Sequence, residues 1–302
     1  MVFVKHALRV PGLYRRAFLN MLDHDGLNLA QSAAYSAMVA LFPALVVVAA
    51  CIALLPNVAP LRIEVGEFFD QVLPTNVFPL LTAYFVTSAG AADGRPHTAR
   101  ALTLAALVSL TGASSVIATL MEGLRRAADL PPDCWNFAQR RIRAFALVPV
   151  SLLPLVVATM LVVFGRLITE HGAAYLPTSA RPAFFGAALA IRWTVALAGV
   201  VGLTALIYHM GTPAKVHWLR TLPGAVMATG MWFVSTLVFG WYVTRVANYS
   251  AVYGSLGAGI ALLFWLYIVF LSVLCGAEFN ALVDRVETAA SPFQSGIVAI
   301  PE

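Results

Sequence analysis

The chain has 302 residues, of which 60% are hydrophobic and only 11% charged, with a formal net charge of +5. Soluble domains carry about 25% charged residues, and a soluble protein this apolar would expose patches large enough to aggregate. Composition therefore excludes a large soluble domain and points to an all-α, polytopic membrane helix bundle.

Residues Pro11–Leu22 place Leu13, Ala17, Phe18 and Met21 on one face of a helix and Arg15 and Arg16 on another. That pattern predicts a short helix lying at the membrane surface, over about 11–22. Six long apolar runs follow, at about 32–55, 101–121, 144–164, 183–208, 222–243 and 253–277. A bilayer core about 30 Å thick needs roughly 20 apolar residues in a helix that rises about 1.5 Å per residue. Five of these runs contain no charge, and the run at 183–208 contains only Arg192. The expected organisation is one six-helix transmembrane domain over 1–288, with a flexible tail at 289–302. The first apolar run is too long for the core of a signal peptide, so no cleavable leader is expected.

The first span opens with Gln31, Ser32, Tyr35 and Ser36, which form two i,i+4 pairs on adjacent faces. Pro43 sits mid-span, where it removes a backbone hydrogen bond and kinks a helix. Polar side chains in lipid need partners, either another helix or a water-lined or substrate-lined cavity. Residues 61–86 carry a helical apolar pattern stopped by Pro74. A surface helix and a re-entrant hairpin both fit it. Ala91–His97 reads as the polar turn into the second span. That span ends in Glu122, Arg125 and Arg126, a local ion pair at the interface, and the helix is expected to break before Pro131-Pro132.

Arg192 has two readings. A helix starting at Ala183 buries it roughly 14 Å deep by helical rise, where a cation costs several kcal/mol and signals function. A span over Trp193–Gly211 leaves it at the outer interface, with Trp193 and Tyr208 as aromatic anchors. In the last span, Gly254, Ser255, Ala258 and Gly259 have the spacing for close helix approach. That span runs into Glu278 and Asn280, which are expected at the interface near Glu122 and its arginines. No internal repeat is evident.

Charge distribution sets the orientation. Twelve basic residues fall on one side: Lys5, Arg9, Arg15, Arg16, Arg125, Arg126, Arg140, Arg141, Arg143, Lys215, Arg220 and Arg285. Six fall on the other: Arg62, Arg95, Arg100, Arg166, Arg181 and Arg245. The positive-inside rule then puts both termini in the cytoplasm.

Catalytic signatures are missing. The sequence has no HExxH, GxSxG or Walker A motif, and its three cysteines lack metal-ligand spacing. Asp23-His24-Asp25 is the tightest titratable cluster, yet three consecutive residues cannot all face one metal from a regular helix. No enzyme activity, metal or cofactor is expected.

Several blocks resemble the YihY/BrkB family of bacterial inner-membrane proteins. They are Ala33-Ala-Tyr35-Ser36 with Leu41-Phe42-Pro43, Glu122 to Arg125 with Arg140 and Arg143, and Leu222-Pro-Gly-Ala225. Tyr253-Gly254 with Trp265-Leu-Tyr267, and Gly276-Ala-Glu278-Phe-Asn280, complete the set. The resemblance covers roughly 12–285 and implies six helices with cytoplasmic termini in the bacterial inner membrane. It also implies a part in envelope lipid or lipopolysaccharide export. The family carries an older ribonuclease BN label, but clustered carboxylates or histidines for catalytic metals are not placed together here.

The sequence therefore reads best as a transporter or flippase-like protein for an envelope lipid or amphipathic anion. Gln31, Tyr35, Arg192 and Tyr253 are the candidate substrate contacts. Glu122, Arg125, Glu278 and Asn280 are a candidate gate, and Pro43, Gly254 and Gly259 provide kink and packing. The expected partners are membrane lipids, an anionic lipid or glycolipid among them. A homo-oligomer stays open, and nucleic acid is not expected. A non-transporting scaffold for envelope assembly is the alternative, with an ion-coupled solute carrier behind it.

Overall fold

The computed structural model describes residues 10–54, 96–153, 169, 177, 179–213, 217–245 and 256–290. Regular structure among them is entirely helical. In chain order the helices are α1 (Val10–Asp23), α2 (Gly26–Leu54), α3 (Pro96–Ala127), α4 (137–153), α5 (Arg181–Gly211), α6 (Trp218–Arg245) and α7 (Leu256–Ala290). A single 3-10 turn at Pro132–Cys134 precedes α4.

α1 covers the helix expected at 11–22 and ends within a residue of it. It stops where Asp25 takes a left-handed conformation (φ 63°), which short polar side chains tolerate better than most. The amides of His24 and Asp25 donate back to Asn20 and Leu22, so the reversal into α2 is tight. α2 then runs through Pro43 without interruption.

α3 begins at Pro96, where a missing N–H costs nothing. It ends in a Schellman motif with Asp129 (φ 51°) in the position usually held by glycine. The Asp129 amide donates to the Arg126 carbonyl and the Leu130 amide to that of Arg125. The chain is therefore out of helix before Pro131, as the proline pair requires.

Among the described residues, four helical stretches are long and apolar enough to cross a membrane: Leu102–Ala127, Arg181–Gly211, Trp218–Val243 and Gly259–Val286. They coincide with four of the six expected spans. α2 holds the uncharged run from residue 32 to 54. The run at 144–164 is described only to 153, and 61–86, 91–95 and 291–302 lie outside the described residues.

The helices outlast the apolar runs that announce them. α3 continues past 121 to carry Glu122, Arg125 and Arg126. α7 continues past 277, through Glu278, Asn280, Asp284 and Arg285, and includes 289 and 290 of the expected tail. Apolarity reports where lipid or core begins, whereas the backbone bonds of a helix persist wherever polar side chains find partners.

The chain forms two compact units. The first comprises Met1–Leu29, Leu120–Phe233 and Leu271–Glu302, and the second Ala30–Thr119 and Val234–Phe270. In the first, Leu124, Ala127, Ala205, Tyr208, Ala225 and Ala277 form a core backed by Val201, Ile207, Leu222 and Val273. In the second, α2 and α3 lie close, since a Cβ added to Gly112 would sit 2.7 Å from Ala40 Cβ. Trp265 Nε1 also donates to Thr236 Oγ1, tying α7 to α6. Outward-facing Leu104, Leu107, Ile191, Trp193, Val234, Leu237, Val238 and Trp241 are exposed. So much exposed apolar surface suits contact with hydrocarbon rather than water.

Candidate functional site

Charged groups of the first unit gather where its helices end. Glu122, on the last turns of α3, is the hub. Arg125 reaches both of its oxygens, with Nη2 at 2.7 Å from Oε1 and Nε at 3.1 Å from Oε2. Arg126 Nε donates to Oε1 at 3.0 Å and Arg140 Nη1, from α4, to Oε2 at 3.3 Å. Three guanidinium groups on one carboxylate join α3 to α4 across the Pro131-Pro132 break. Arg125 also donates to the Leu130 carbonyl, so it closes the same loop from the other side. Arg126 Nη1 reaches the His24 carbonyl at 3.2 Å and Asp25 Oδ2 at 3.4 Å, which ties in the α1–α2 turn.

Glu278 does not join the Glu122 arginines, as the sequence suggested. It is 2% exposed, and its Oε1 lies 2.7 Å from His24 Nδ1. The other ring nitrogen of His24 lies 3.3 Å from Asp129 Oδ1. Asp129 in turn pairs with Arg285, which also donates to the Ala127 carbonyl. Glu278 Oε2 is buried with no hydrogen-bond partner. The Asp23-His24-Asp25 cluster, of interest in the sequence only as a weak metal motif, thus acts through its histidine as a bridge between two carboxylates.

Asn280 bonds to the backbone of α6. Pro223, inside α6, has no N–H to donate. Beside it, the Gly224 amide donates to Asn280 Oδ1 at 2.6 Å, and Asn280 Nδ2 donates to the Thr221 carbonyl at 3.0 Å. The side chain therefore completes backbone bonding at the start of α6. This is possible because α6 and α7 touch through glycines: a Cβ on Gly276 would lie 2.6 Å from Tyr208 Oη and 2.7 Å from Ala228 Cβ. Tyr208 is 2% exposed and its hydroxyl donates to the Val273 carbonyl. It is a core residue, not the interfacial anchor that one reading of α5 made it. Close approach was expected at Gly259; among the described residues a Cβ there would meet Met38 Cε, at 3.6 Å. Gly254 and Tyr253 lie outside the described residues.

Two of the expected substrate contacts come together. Gln31 and Tyr35 line an open groove of about 300 Å³ in the second unit, with Ala34 from α2 and Leu263, Phe264 and Tyr267 from α7. Its walls are apolar, with one amide and two phenols among them. Arg192 belongs to the first unit and is not part of this groove. It lies within an unbroken α5, eleven residues after Arg181, or about 17 Å by helical rise. Its Nε is buried without a hydrogen-bond partner.

The sequence reading missed Tyr208, Gly224, Gly276, Asp129 and Arg285. A small-residue signal existed for the two glycines, which stand inside the Leu222-Pro-Gly and Cys275-Gly-Ala blocks. For Asp129 and Arg285 no local pattern pointed to a shared partner.

Comparison with known proteins places the chain in a family. The family model for virulence factor BrkB matches residues 17–296. The chain belongs to the BrkB family. Among BrkB-like relatives, YfkH of Bacillus subtilis (strain 168), whose name describes it as ribonuclease-like, is 27% identical over 262 residues. That match covers 87% of this chain and 91% of YfkH. A UPF0761 membrane protein of Rhodospirillum centenum is 28% identical over 276 residues, 91% of this chain but only 58% of its own length. A UPF0761 membrane protein of Vibrio cholerae is 33% identical over 102 residues, about a third of each chain. No solved structure matches this BrkB-family chain.

Proposed function

We propose that this BrkB-family membrane protein binds and translocates an amphipathic anion, by class an envelope phospholipid or glycolipid. Arg192 carries the reading. A guanidinium within an apolar span costs about 2.5–3.5 kcal/mol on insertion scales. Such groups ordinarily find a carboxylate, a carbonyl or water, but Arg192 Nε is enclosed and has no partner. A phosphate or carboxylate headgroup supplies the missing acceptor, and guanidinium is suited to bind it with two parallel hydrogen bonds. The Gln31–Tyr35 groove supports the same class of ligand, since apolar walls with a few polar tips fit an acyl chain and its ester region.

On this reading the protein is a multi-pass protein of the bacterial inner membrane. Its basic side, with both termini, faces the cytoplasm by the charge asymmetry of the sequence. Among the described residues no group of three or more His, Cys, Asp or Glu is placed to hold a metal ion.

The test is retention of lipid. Wild type and Arg192→Ala are extracted into native lipid discs, and co-purifying lipids are identified by mass spectrometry. Selective enrichment of one anionic lipid or glycolipid in wild type, lost in the variant, is the expected result. A lipid profile equal to the bulk membrane in both proteins overturns the proposal.

A further inference from the structure

We infer that His24 and Glu278 together form a binding site for a single proton, and that its occupancy fastens the α1–α2 turn of the first unit to its surroundings. The argument is one of counting hydrogens. His24 faces two carboxylates, Glu278 Oε1 at 2.7 Å from Nδ1 and Asp129 Oδ1 at 3.3 Å from Nε2. A neutral imidazole has one N–H and one lone pair, so it can donate to one of them only. One further proton satisfies both contacts, and it can sit in either of two places. On the ring, it makes an imidazolium that donates to Glu278 and to Asp129. On Glu278, the carboxylic acid donates to Nδ1 while Nε2–H donates to Asp129. The proton belongs to the pair rather than to either residue.

Removing the proton sets a lone pair against a carboxylate on one side of the ring, and that contact fails. The geometry makes the loss matter. Glu278 is almost fully enclosed, and its second oxygen has no partner. Its charge depends on His24, with Arg285 and Asp129 as the other charged groups near it and Cys275 one turn back on α7. On the far side, the His24 carbonyl accepts from Arg126, itself bound to Glu122. The α1–α2 turn is therefore held through Arg126 and through one His24 contact that survives without the proton, and by a second His24 contact that depends on it. His24 is partly exposed, so the proton exchanges with the aqueous phase on that side. The inference needs neither Arg192 nor a lipid and stands apart from the transport reading.

The test is hydrogen exchange of the backbone amides over 21–30, followed from about pH 5 to about pH 8. Rates are normalised to those of an unstructured peptide at each pH. Wild type is expected to lose protection at the turn as pH rises, by about tenfold or more for one hydrogen bond to a charged group. Protection across α5 should stay constant. His24→Gln and Glu278→Gln should abolish the pH dependence at the turn. Constant wild-type protection over the whole range overturns the inference, and so does a pH slope that both variants retain. If either variant does not fold, the wild-type profile alone decides.

Discussion

Replacing Gly276 by alanine tests the contact that holds the first unit together. A methyl group there would press on the Gly224 carbonyl, lie 2.6 Å from Tyr208 Oη and 2.7 Å from Ala228 Cβ. Carbon atoms rest about 3.5–4.0 Å apart, so α6 and α7 must part by roughly 1 Å. None of the obstructing atoms is the far end of a flexible side chain; one is backbone and another a hydroxyl already committed to the Val273 carbonyl. Forced overpacking costs about 1–3 kcal/mol. Each of the Tyr208–Val273 and Asn280–Gly224 hydrogen bonds that is stretched costs about 1 kcal/mol more. Alanine returns up to about 1 kcal/mol through helix propensity. The net expectation is a loss of about 1–3 kcal/mol. Gly230→Ala is the control on the same helix pair, because a Cβ there has nothing within 4 Å; it should be neutral or gain up to about 1 kcal/mol. Denaturant unfolding in mixed micelles, read by tryptophan fluorescence, measures both. Equal stability of Gly276→Ala and Gly230→Ala would refute the close glycine crossing.

Asn280→Ala should cost about 1–3 kcal/mol in the same unfolding assay, because it removes the bonds to both the Gly224 amide and the Thr221 carbonyl. Asn280→Asp, which keeps the acceptor, should recover part of that loss. Glu122→Gln removes the charge shared by Arg125, Arg126 and Arg140 and should destabilise by about 1–3 kcal/mol. The effect should weaken in high salt, since the cluster is partly exposed. Tyr208→Phe removes one buried donor and should lose about 1 kcal/mol, without change in lipid retention.

The bundle was legible because lipid-length apolar runs are a strong signal and their ends are marked by prolines and charges. Pro131-Pro132 marked the end of α3, and the amphipathic pattern of Leu13, Ala17, Phe18 and Met21 marked α1 and its end almost to the residue. The polar chemistry was less legible, since it depends on which helix ends meet. Glu122, Arg125 and Arg126 are three and four residues apart, so helical geometry alone brings them together. Glu278 and His24 are 254 residues apart, and no local rule joins them. The glycines show the same limit. Gly254–Ala258 and Ser255–Gly259 have the four-residue spacing of a packing motif, but so do Gly224–Ala228 and Ser272–Gly276, and it is Gly224 and Gly276 that make the close crossing. Spacing states that two helices can approach closely; the partner surface decides whether they do.

Glu278 and Arg192 are both ionisable groups in largely apolar helices of the first unit, and they differ in one respect that predicts opposite behaviour. Glu278 has its counter-group in the chain, so removing either member of the pair leaves a buried polar group unsatisfied and destabilises the fold. Arg192 is partly exposed, but its Nε is enclosed without a hydrogen-bond partner, so the fold bears the cost of enclosing that atom without return. If that cost serves ligand binding, Arg192→Leu should stabilise the protein, by about 1–3 kcal/mol from the difference between a cation and an aliphatic side chain within a span. The same variant should lose the selective lipid. Higher stability with lost retention is the pattern of a residue kept for function at the expense of the fold. Unfolding measured in lipid-free micelles separates this from a structural role. There a functional Arg192 gives a variant more stable than wild type, whereas an arginine bonded within the protein gives a weaker one, and that result would remove Arg192 from the binding site.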